Sequence, residues 1–146
     1  MKITYAMIFT FFLLLSVDSQ AEVRIYSEKN QFCEHIKSVF HEFNIKFREV
    51  DCLNTNDSEN LYIIDDIFST DTESLPKYFI AYQSKDLKGM PLTDGLIEKL
   101  SKAVVVWDYS WENIQQYRAS IFNVLYVSAG CEYKAPVVLP CLLPVQ

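Results

Sequence analysis

Few side chains in this chain are of a type and spacing that could do chemistry. Asp65-Asp66 are consecutive acids at the end of an apolar run and could hold a divalent cation or act as a base. Neighbouring side chains on an extended strand point to opposite faces, which makes them a poor bidentate pair. They read as a solvated strand end. The two histidines, His35 and His41, fall on one expected helix, about 600° apart around its axis, and share no face for a metal or a dyad. Cys33, Cys52, Cys131 and Cys141 include no C-x-x-C and have no histidine pair nearby, so zinc spacing is absent. There is no G-x-S-x-G elbow, no G-x-G-x-x-G and no phosphate-binding G-x-x-x-x-G-K-[ST] loop. Three glycines leave little from which to build a backbone phosphate cradle, which disfavours nucleotide binding. No metal or cofactor is expected, and no acid is singled out by spacing as a general base.

The elements that would position any site follow from length and patterning. A chain of 146 residues, half of them apolar and 14% aromatic, has material for one packed domain. It is too rich in aromatics for a mainly disordered chain. Thirteen Lys+Arg against nineteen Asp+Glu give a net charge of −6, so a nucleic-acid partner is not expected.

The amino end reads as an export signal over residues 1–21. A Met1-Lys2 start precedes an apolar run to Val17, and Ser19-Gln20-Ala21 places small residues at a cleavage site. The run is shorter than the roughly 20 residues of a spanning helix. The expected product is secreted or periplasmic, with no membrane partner once the signal is cleaved. An uncleaved signal would leave it anchored. For an exported chain, four cysteines suggest disulfides with three possible connectivities. Cys33–Cys52 and Cys131–Cys141 are favoured, and buried free thiols are the alternative.

Strand and helix patterns alternate along residues 22–130. Strands are expected at Val23 to Tyr26, Ile45 to Val50, Leu61 to Ile64, Tyr78 to Tyr82, Ala103 to Trp107 and Ile121 to Val127. Helices are expected around Phe32 to Phe43, Leu92 to Leu100 and Trp111 to Arg118. The expected fold class is α/β, a three-layer Rossmann-like single domain with a mostly parallel sheet of five or six strands. Residues 131–146 form a Pro-containing tail without a clear pattern. In open parallel sheets, sites lie beyond the carboxyl ends of the strands. Those ends are Ser27 to Asn30, Asp51-Cys52, Asp65-Asp66, Gln83-Ser84, Asp108 to Ser110 and Ser128 to Gly130.

Leu75-Pro76-Lys77-Tyr78-Phe79-Ile80-Ala81-Tyr82-Gln83, then Ala103-Val104-Val105-Val106-Trp107-Asp108-Tyr109-Ser110 with Asn113-Ile114, then Asn123 to Val127 and Gly130, make a further pattern. It resembles the amino-terminal lobe of two-lobed bacterial and viral glycosyltransferases built from paired Rossmann-like domains. The Trp-Asp-Tyr-Ser…Asn-Ile segment is its most specific part. The resemblance implies an acceptor-side lobe, with the donor sugar nucleotide held by a second lobe. It makes Gln83, Asp108, Tyr109, Ser110 and Asn113 a candidate substrate rim, with aromatic faces for sugar stacking and Asp108 and Asn113 for hydroxyls. The residues also admit a purely structural reading, in which Trp107 is sheet core and Asp108 or Ser110 caps the next helix.

The expected function is thus a truncated glycosyltransferase-like lobe, weak or inactive alone. Its partner would be a carbohydrate acceptor or a protein supplying the second lobe. The alternative is an exported non-catalytic binding or interaction domain. A third reading is a thioredoxin-like redox module. It rests on a glutaredoxin-like start, Val23 to Tyr26 followed by Cys33, with Asn30 where a partner thiol would stand.

Overall fold

The computed structural model describes residues 21–27, 31–83 and 85–127, and of residues 31–33 the backbone alone. Residues 1–20 of the expected signal, the expected tail, and the Cys33 side chain, Cys131 and Cys141 lie outside the described residues.

Among the described residues, six strands form one all-parallel sheet: β1 (Val23–Tyr26), β2 (Phe47–Val50), β3 (Leu61–Asp65), β4 (Phe79–Gln83), β5 (Val105–Asp108) and β6 (Val124–Tyr126). Their order is β2-β1-β3-β4-β5-β6. Among the described residues, three helices accompany them: α1 (Gln31–Glu42), α2 (Asp94–Lys102) and α3 (Trp111–Tyr117). The expected α/β Rossmann-like single domain is the fold observed, with six parallel strands.

Side-chain alternation assigns the two faces. Val23, Ile25, Leu61, Ile63, Ile80, Tyr82, Val105 and Trp107 share one core with Ile36, Val39 and Phe40 of α1. Tyr62, Ile64, Phe79, Ala81, Val106 and Val124 share the other with Leu96 and Leu100 of α2 and Ile114 and Tyr117 of α3. Both faces of β3, β4 and β5 are buried, as their near-continuous apolar runs require.

Local chemistry sets the helix limits. The Thr93 hydroxyl accepts the Leu96 N–H at 3.2 Å, capping α2, and Asp94 in its first turn with Lys99 and Lys102 in its last suit the helix dipole. Beyond α1, Asn44 takes a left-handed backbone (φ 54°) and the Ile45 N–H returns to the Phe40 carbonyl at 2.8 Å.

Two connections carry no α-helix. Between β3 and β4 lie two 3-10 turns, Ile67–Ser69 and Thr72–Ser74, within a segment that reads as loop. Between β2 and β3 the chain is coil, and Asp57 pins it. The Asp57 carboxylate accepts from the Glu59 and Asn60 N–H groups, from Asn60 Nδ2 and from the Tyr62 hydroxyl. It also pairs with Arg24 Nη1 at 2.9 Å. Burial opposes its charge, but the bonds from Asn60, Glu59 and Tyr62 outweigh that and hold its pKa down at about 2.

Candidate functional site

β4 and β5 each extend one residue beyond the expected span, and that single residue changes the site. Gln83 and Asp108 are not beyond the sheet but inside it, paired with each other in register, and Asp108 is in turn paired with Tyr126. Gln83, Asp108 and Tyr126 therefore form one row across the carboxyl ends of β4, β5 and β6. Gln83, Asp108 and Asn113 are wholly buried, and Ser110 nearly so.

Asp108 is the centre of a closed network. One carboxylate oxygen accepts the Ser110 N–H at 2.8 Å and Asn113 Nδ2 at 3.2 Å, and the other takes the Tyr117 hydroxyl. Ser110 caps α3 by accepting the Asn113 N–H at 3.2 Å. The Asn113 carboxamide clamps the segment after β4. Its oxygen accepts the Leu87 N–H at 2.8 Å, and its nitrogen also donates to the Lys85 carbonyl at 2.8 Å. Burial lifts the Asp108 pKa to about 6, against the lowering effect of the Tyr117, Ser110 and Asn113 bonds. Burial, then the nearby Asp108 charge, raises that of Tyr117.

The rim anticipated from sequence is thus brought together, but for a different use. Asp108, Ser110 and Asn113 direct their hydrogen bonds to one another, so the structural reading of these residues holds. Tyr117, the hydroxyl that completes the network, stands nine residues from its acid and is visible in the sequence only as part of an apolar helix face. Gln83 differs from the rest, because neither amide atom has a hydrogen-bond partner among the described residues.

One aromatic pair reaches solvent at this end, at the carboxyl ends of β5 and β6. Trp111, the first residue of α3, is 41% exposed and stacks on Tyr126 at the end of β6, with ring centroids 5.4 Å apart and planes 13° from parallel. Tyr109, in the turn leading to α3, is half-buried. In the sequence Trp111 reads only as a helix face and Tyr126 only as a strand residue, because their contact depends on the β5–β6 register.

The remaining candidates separate. Asp65 is 4% exposed rather than solvated, because it faces the α1 side of the sheet, where the Ser27 hydroxyl donates to it at 3.2 Å. Asp66 takes a left-handed backbone (φ 59°, ψ 63°) and pairs with Lys85. His35 is partly buried and burial lowers its pKa, while His41 lies edge-on to Phe47 with centroids 5.1 Å apart. Cys52 is an exposed thiol in the coil after edge strand β2, and the Cys33 side chain expected to pair with it lies outside the described residues. Among the described residues, no three His, Cys, Asp or Glu side chains converge as a metal site, and no helix is long and apolar enough to cross a membrane.

These features define an open parallel α/β domain with a committed acid and a solvent-facing aromatic pair at its carboxyl edge. Comparison with protein-family models, with curated proteins and with solved structures gives no match.

Proposed function

We propose that this chain is an exported, non-catalytic carbohydrate-binding domain, an acceptor-side lobe of glycosyltransferase-like descent whose recognition surface is the Trp111–Tyr126 stack. The carrying observation is that stack. An indole held flat by a second ring presents a rigid apolar face at low conformational cost, and one side of a pyranose offers the matching C–H surface. Its place at the carboxyl ends of β5 and β6 is where ligands of open parallel sheets bind. The non-catalytic part rests on Asp108, whose oxygens are both engaged inside the fold.

The test is a titration with glucose, galactose, mannose and N-acetylglucosamine and their linked dimers, followed by tryptophan emission. Trp111 is exposed and Trp107 buried, so a shift reports Trp111. Binding is expected for at least one sugar series and should disappear in Trp111→Ala with the thermal midpoint nearly unchanged. Silence across the whole panel would overturn the carbohydrate assignment. Sugar-nucleotide turnover by the purified chain would overturn the non-catalytic one.

A further inference from the structure

We infer that the segment 85–90 is a strap over a second, polar subsite whose recognition group is the Gln83 amide, and that the ligand is a chain of at least two sugar rings. The inference rests on the carbohydrate reading above and adds to it a ligand length and a second contact residue.

Three observations carry it. First, Gln83 is 0% exposed at the end of a central strand, and its Oε1 and Nε2 have no hydrogen-bond partner among the described residues. A buried amide without partners is destabilising, so a group that pairs with it recovers the energy lost on desolvation. An amide offers one acceptor and one donor side by side, and adjacent hydroxyls supply the complement. The surroundings favour a neutral partner over an anion, since Asp66, Asp86 and Asp108 stand around this edge with Lys85.

Second, a single side chain, Asn113 of α3, makes two of the hydrogen bonds that hold the segment after β4. Asn113 makes the two bonds to the Lys85 carbonyl and the Leu87 N–H, with Leu87 tucked into the core and the Lys85–Asp66 ion pair outside. The strap then turns at Gly89, whose φ of 78° suits glycine, closed by the Met90 N–H to the Leu87 carbonyl at 2.8 Å.

Third, the spacing fits. Gln83, Asp108 and Tyr126 share one row, and two strand spacings place Gln83 about 10 Å from Tyr126. One pyranose ring does not span that row, whereas two linked rings do.

Two measurements test this. In the sugar panel, a linked dimer should bind about tenfold more tightly than its monomer, equivalent to about 1.4 kcal/mol. Gln83→Met should erase that gain while leaving monomer affinity intact, and should raise the urea midpoint because the orphaned amide is gone. Hydrogen exchange on the wild-type chain gives a second, ligand-free readout. The Leu87 amide should exchange through local opening, well ahead of the Val106 amide in β5. Equal dimer gains in wild type and Gln83→Met, no gain with length, or exchange of Leu87 only through global unfolding would each overturn the strap and its subsite. If monomers bind while those results fail, the aromatic site stands without the second subsite. If no sugar binds, both readings fall.

Discussion

Replacing Asp108 by Asn isolates the energetics of the buried acid. In the folded chain its pKa stands at about 6 against an ordinary 3.8, with burial the main cause. The folded state therefore holds the Asp108 proton more tightly than the unfolded state does. Stability from this group is fully present below about pH 4 and is lost as pH rises through about 6. At about 1.4 kcal/mol for each pH unit of separation, the loss amounts to about 2–3 kcal/mol between pH 4 and pH 7. The substituted carboxamide does not ionise. Its oxygen can still accept from Ser110 and Asn113, and its nitrogen can donate to the Tyr117 oxygen. Urea unfolding of both proteins across pH 4–8 gives the difference directly, and other titrating groups cancel in it. The variant should be close to wild type at pH 4 and gain on it by about 2–3 kcal/mol as pH rises to 7. A difference that stays constant over that range would refute the assignment of Asp108 as a buried, internally committed acid.

Two further outcomes concern the frame around the site. Asp57→Asn should lower stability at neutral pH by about 1–2 kcal/mol after allowance for solvent screening. Because its folded pKa is depressed to about 2, the wild-type contribution is present above about pH 4 and lost as pH falls through 2. The variant should lack that acid limb in urea titrations. Thr93→Ala, which removes the α2 cap, should cost about 1 kcal/mol in the same assay and leave sugar binding unchanged.

Much of the fold was legible because its signals are local. The apolar runs at Leu61 and Ala103 and the period of Phe32, Ile36, Val39 and Phe40 each declare an element without reference to the rest. The sheet's parallel sense followed from strand–helix alternation. Ends were less legible where a side chain decides them. The Asn123 amide donates to the Ala103 and Val104 carbonyls, which accompanies the late start of β6 at Val124 rather than at Ile121.

The site was legible in membership but not in role. Ser110 and Asn113 stand at capping distance in sequence, so their structural use could be read. The fate of Asp108 could not, since it turns on one extra strand residue and on Tyr117 folding back over it. The Asp57 clamp was invisible for the same reason. The Arg24 and Tyr62 it gathers are 38 residues apart and meet only through the β1–β3 register.

That register also governs how fast the chain can fold. Every neighbouring pair in the sheet is parallel, so none can form as a hairpin, and the β1–β3 pair must first close a loop of several tens of residues. Ordering of the interior waits on these distant encounters. Half-assembled sheets persist meanwhile with their ladder groups bare, and that interval is when the chain is most prone to associate with its own copies.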